Sequence, residues 1–166
     1  MFHRKMTLAA AILGLAAMLF ASLPANLKAA DDPLMGKWKL NVAKSRYDTG
    51  KPPKSYTRTH EAVPGGMKVV RDEVTATGEV AHPFWTAQFD GKDYPLVGEP
   101  GAFVDSLYLT RVDLYTVVGG SKKNGVLINT LRWEISKDGK TFTWIATRVN
   151  PPELKGTKVI QVFERQ

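Results

Sequence analysis

The residues of this chain best equipped for chemistry are arginines set among aromatic and aliphatic side chains at every second position. Tyr56, Arg58, His60 and Ala62 form one such series, Phe142, Trp144, Ala146 and Arg148 another, and Leu107, Leu109 and Arg111 a third. Side chains two apart on a strand share a face, so each arginine is expected to point the same way as its apolar neighbours. An inward guanidinium favours an anionic head group, and apolar walls carrying a few cationic or hydrogen-bonding groups are the usual lining of a small-molecule site. Alternation supplies further wall from Trp85, Ala87 and Phe89, and from Trp133 with Leu127, Leu131, Ile135 and Asn129. The candidate lining is therefore Tyr56, Arg58, His60, Trp85, Arg111, Trp133, Trp144 and Arg148. A second reading of the same residues has the aromatics filling a core while the arginines, near strand ends, reach solvent along their stems.

Other chemistry finds less support. Beyond the first thirty residues the histidines are His60 and His82, on different strands, without HxH or HxxxH spacing and without a cysteine. A metal site is not expected from such a set. No Gly-x-Ser-x-Gly elbow, phosphate loop or dinucleotide fingerprint occurs, so no catalytic residue and no cofactor is assigned. Asp72 and Glu73, Asp90 and Asp93, and Asp113 fall on opposite strand faces or in turns, where solvated or turn-capping roles suffice.

Residues 1–30 have the three parts of a secretory signal. His3-Arg4-Lys5 is the positive start, 8–20 an apolar core too short for a comfortable membrane span, and 21–30 a tail with Pro24 and small residues. Cleavage is expected after Ala30 or Ala29, with Ala25 as the fallback, leaving 31–166 as one domain in the periplasm or outside the cell. With no cysteine after the apolar core, a lipid anchor is not expected. Removing Arg4, Lys5 and Lys28 takes the basic count from 23 to 20 against 16 acids, so the processed charge is about +4 rather than +7. The basic residues are scattered, whereas a nucleic-acid partner needs them gathered on one face. Without cysteine the fold is held by packing and strand ladders alone.

Periodicity and turn residues then give strands throughout: 35–42, 55–63, 67–76, 80–89, 94–97, 104–111, a strand reaching Val118, 126–136, 141–149 and 158–165. Pro64-Gly65-Gly66 marks a hairpin, Gly119-Gly120 and Asn124-Gly125 bound a loop, and Asp138-Gly139 supplies the positive φ angles of a two-residue turn. The expectation is an all-β antiparallel up-and-down meander of about nine strands, closed into a small barrel so that its edges are not left open. A two-sheet sandwich is the competing architecture, but it normally needs longer crossing connections.

Gly36-x-Trp38-x-Leu40 heading the first strand, with an arginine closing the last, resembles the shared signature of the lipocalin and fatty-acid-binding-protein superfamily. Within it the chain is most similar to small exported bacterial lipocalin-like (calycin-type) proteins of unknown function. The motifs are G-x-W-K-L-N at 36–41, Lys44-Ser45, F-D-G-K-D-Y-P at 89–95 and S-K-D-G-K-T at 136–141. The resemblance implies a structural plug at one barrel end, made by Gly36, Trp38 and Arg165, with the arginine stacked on the indole or bonded nearby. It does not carry fatty-acid binding over. Only residues 41–54, including Pro52-Pro53, separate Leu40 from Ser55, which leaves no room for a helical lid, and Gln161-Val162-Phe163 stands where a carboxylate clamp would be.

The function expected is noncatalytic binding of a small apolar or amphipathic molecule, anionic where an arginine faces in. The alternative is a solid barrel serving as an envelope or protein-interaction module through loops 42–54 and 150–156. A third reading, an outer-membrane barrel, is disfavoured by outward Lys68, Asp72, Lys158 and Glu164, which interrupt the apolar band such a barrel needs.

Overall fold

The computed structural model describes residues 32–98 and 103–166; the predicted signal at 1–30 lies outside the described residues. Twelve strands occur among them, in chain order β1 (Gly36–Leu40), β2 (Arg46–Tyr47), β3 (Ser55–Val63), β4 (Gly66–Val74), β5 (Val80–Ala81), β6 (Phe84–Gln88), β7 (Tyr94–Pro95), β8 (Ser106–Asp113), β9 (Thr116–Lys123), β10 (Val126–Ile135), β11 (Thr141–Arg148) and β12 (Lys158–Arg165). All pairings are antiparallel, and the sheet curls into a half-barrel in the order β5-β4-β3-β1-β12-β11-β10-β9-β8-β7. Val42–Lys44 and Pro152–Leu154 form short 3₁₀ turns.

The first and last of these strands are neighbours. β1 lies between β3 and β12, with Trp38 opposite both Arg58 and Arg165. On the far flank β5 and β6 follow one another along β4. The expected single strand over 80–89 is broken by Pro83, which has no N–H to donate; its carbonyl still accepts from the Arg71 amide, so both halves share one edge. Two isolated bridges, Phe84 to Val97 and Asp90 to Thr110, carry the pairing from β6 towards β7 and β8.

Three details depart from the sequence reading. Gly119-Gly120 lies inside β9 rather than in a loop. A Cβ on Gly119 would stand 2.0 Å from the Tyr108 carbonyl oxygen, and one on Gly120 would stand 2.6 Å from the Tyr108 ring. Both glycines permit close approach of β8, and Asn124-Gly125 alone makes the turn, with φ of 49° and 78°. Between β10 and β11 only Gly139 takes positive φ, and the Asp138 carboxylate accepts from the Ser136 hydroxyl and the Lys140 amide. The connection is thus longer than a two-residue hairpin. Finally, the β9–β10 register shifts between Leu127 and Asn129. This bulge reverses the alternation beyond Ile128, so Leu127 sits beside Tyr108 on the outer face instead of joining Trp133.

The interior is aromatic. Phe142 is central, with ring centroids 5.6 Å from Trp38, 5.8 Å from Trp133, 5.4 Å from Phe163 and 5.4 Å from His60. The Phe163 contact is stacked and the others are tilted or edge-on; aromatic pairs in such arrangements add about 0.5–1.5 kcal/mol each beyond area burial. Met67, Val69, Ala87, Leu109 and Val117, all fully buried, surround them.

Candidate ligand-binding cavity

One end of the half-barrel is stoppered by residues 32–35, which precede β1. Leu34 is fully buried, and its carbonyl accepts from both Trp38 Nε1 and His60 Nδ1, each at 3.0 Å. That contact fixes the His60 proton on Nδ1 and leaves Nε2 buried without a partner. Burial first, and then the charge of Arg58, hold the His60 pKa well below the usual histidine range. Arg165 caps the assembly from outside: its guanidinium lies 4.3 Å from the Trp38 ring and donates to the carbonyls of Pro33, Met35 and Gly139. Gly36, at φ +117°, is the residue that lets the arginine in, since a Cβ there would lie 2.6 Å from Arg165 Nη1. Arg111 belongs to this end as well. It holds Asp32 through a two-pronged ion pair at 2.7 and 3.2 Å and stacks 4.4 Å from Phe89.

Above the Trp133–Phe142 layer the interior is hollow, with a cavity of about 230 Å³. Alternation along each strand places the wall. β3 contributes Tyr56 and Arg58; β4 Arg71 and Glu73; β6 Trp85; β10 Asn129, Leu131 and Trp133; β11 Trp144, Ala146 and Arg148. Of the eight sequence-derived candidates, Tyr56, Arg58, Trp85, Trp133, Trp144 and Arg148 line this space. His60 and Arg111 do not: they share faces with lining residues but lie deeper, in the stopper.

The wall is strongly polarised. Arg58 is 3% exposed, and its guanidinium is flanked by Trp133, Phe142 and Phe163 at 5.2, 5.3 and 5.7 Å. Among the described residues it makes no ion pair, and its Nε has no hydrogen-bond partner. Removal from water lowers its pKa, as does Arg71 to a lesser degree, while the Tyr56 hydroxyl works the other way. Trp133 Nε1 and Arg148 Nη1 are likewise buried donors without an acceptor among the described residues. Arg148 stacks 4.1 Å from Phe103, and burial lowers its pKa too. Arg71 pairs with Glu73 at 2.6 Å and stacks on Tyr56. Asn129 donates to the buried Ser121 hydroxyl at 2.9 Å. With Lys158 also on the wall, four cationic side chains face one carboxylate, Glu73, among the described residues.

Arg71, Glu73 and Ser121 were not among the sequence-derived candidates. The signal for the first two was present: Met67, Val69, Arg71 and Glu73 alternate on one face of β4, as Arg58 does on β3. Ser121 is masked by the glycines before it, which read as loop. Among the described residues no cluster of three or more His, Asp or Glu is placed to hold a metal ion. No protein-family model matches the chain, and no curated protein or solved structure is significantly similar to it.

Proposed function

We propose that this protein is a noncatalytic binder of a small amphipathic anion, held inside a lipocalin-like barrel that acts outside the cytoplasm. The observation that carries the reading is Arg58: a desolvated guanidinium beside a cavity, with no carboxylate against it among the described residues. A buried charge left without a counter-ion costs several kcal/mol, and the cost is reasonable where a ligand completes the pair. The apolar wall of Trp85, Leu107, Leu131 and Trp133 suits the other half of an amphipathic molecule. The secretory pattern at 1–30 supports export. Pairing of β1 with β12, together with the bridges from β6 towards β8, supports barrel closure.

Native mass spectrometry of protein recovered from its expressing cell tests this. A small-molecule adduct released on unfolding is expected from the wild type and is expected to be absent from Arg58→Met. Adduct-free wild type that also takes up no added carboxylate would sink the proposal.

A further inference from the structure

Building on that reading, we propose that the cavity takes a compact aromatic carboxylate, its carboxylate turned inward onto Arg58 and its ring laid against the wall that Trp85 and Trp133 form together. The orientation follows from what is left open on the guanidinium. Trp133, Phe142 and Phe163 flank Arg58 within 5.7 Å, so the planar group sits within an aromatic cage. The residue borders the cavity, and its buried Nε has no acceptor among the described residues. An edge composed of Nε and one Nη offers two parallel N–H donors, the fork that matches a planar carboxylate. Trp133 Nε1, also buried and unpartnered, adds a donor on the adjoining side chain. The acceptor these groups need is therefore an anion with more than one oxygen.

The rest of the ligand is limited by space and by the wall. At about 230 Å³ the cavity is smaller than the roughly 300–1,000 Å³ that drug-sized ligands occupy. Such a volume suits one or two fused rings and is poorly matched to a long alkyl chain. Trp85 and Trp133 meet with centroids 6.0 Å apart at 46°, presenting flat faces and edges rather than a flexible aliphatic slot. An aryl ring gains from both. Arg148 and Asn129 lie on strand positions farther from the stopper, by six residues of β11 counted from Phe142. They stand at the outer part of the cavity, and a polar substituent on the outward end of the ring would meet them.

Isothermal titration of the full processed protein with four probes tests the assignment: 2-naphthoate, its neutral counterpart 2-naphthamide, dodecanoate and acetate. Naphthoate is expected to bind at least about 10-fold more tightly than the amide, which is the scale of one charge-assisted hydrogen bond, and more tightly than dodecanoate or acetate. Arg58→Met is expected to lose that preference for the acid over the amide. Arg58→Lys, which keeps the charge and loses the fork, is expected to weaken naphthoate binding by about 10-fold and guards against a folding failure of the first variant. Equal binding of acid and amide, tighter binding of dodecanoate, or an unchanged affinity in Arg58→Lys overturns the aromatic carboxylate. Dodecanoate or amide binding in the cavity without naphthoate binding would leave the carrier reading standing and remove this one; no binding by any probe, with no cell-derived adduct, removes both.

Discussion

Acidifying the protein from pH 7 to pH 5 should destabilise it through His60. In the folded state Nδ1–H is committed to the Leu34 carbonyl, Nε2 has no acceptor, and the ring lies against Trp38, Trp133 and Phe142. Protonation would put a second donor and a charge into that setting beside Arg58, and the folded-state pKa is held well below 6.5 for this reason. In the unfolded chain the same histidine titrates near 6.5. The unfolded state therefore binds the extra proton first. Stability is complete above about pH 6.5 and falls below it by roughly 1.4 kcal/mol per pH unit until the folded pKa is reached, a loss of at most about 2 kcal/mol by pH 5. Asp48, Asp90, Asp105, Asp138 and Glu164, whose pKa values are lowered by hydrogen bonds, begin to lose their contributions only as pH falls into the ordinary carboxylate range and finish below it. Urea denaturation at pH 7, 6 and 5 isolates the effect when wild type is compared with His60→Asn, whose amide nitrogen mimics Nδ1 and does not titrate. His82 is common to both proteins. The variant is expected to be less stable at pH 7, with the gap narrowing towards pH 5 by up to about 2 kcal/mol. Parallel pH profiles would refute a buried neutral His60.

Replacing Arg58 by Met should raise the midpoint of thermal unfolding of the ligand-free protein, by the equivalent of about 1 kcal/mol or more, because an unpaired buried cation gives way to a shorter, uncharged apolar chain; a lower midpoint contradicts the unpaired state. Gly36→Ala should cost about 1–3 kcal/mol in chemical denaturation, and less in an Arg165→Ala background, where only the backbone strain remains; additive costs would show that the glycine does not serve the arginine. Gly119→Ala should be worse than Gly125→Ala. The first drives a Cβ into the Tyr108 carbonyl, while the second meets open space and strains φ alone, at about 1–2 kcal/mol. Equal losses would place the close β8–β9 approach in error.

Which residues share a face was legible in the sequence; how deep each one lies was not. Tyr56, Arg58 and His60 alternate inward on β3, as two-residue periodicity requires. Depth depends on how neighbouring strands are staggered, a property of the whole curled sheet. His60 is level with Gly36 across the β1–β3 ladder and so falls into the stopper, whereas Arg58 one step along borders the cavity. Arg111 stands apart from the cavity lining for a related reason. Its partner, Asp32, comes from the segment before β1, and nothing local to β8 announces it. Leu127 was lost to the bulge at Ile128, where a single extra residue inverts the face without any glycine or proline to mark it. Trp38 and Arg165, by contrast, stand directly opposite each other in the β1–β12 ladder, so the pairing inferred from the motif is a direct consequence of register.

The four tryptophans have an optical consequence. Trp38 is sealed in the stopper with its indole nitrogen bonded to the Leu34 carbonyl, while Trp85, Trp133 and Trp144 border the cavity. Intrinsic fluorescence is thereby divided into two channels. An occupant alters the environment of three indoles and leaves the fourth dark to the event, whereas loosening of residues 32–35 exposes the fourth first. A Trp38→Phe variant would convert the protein into a reporter of its cavity alone, and the difference between its emission and that of the wild type would track the stopper.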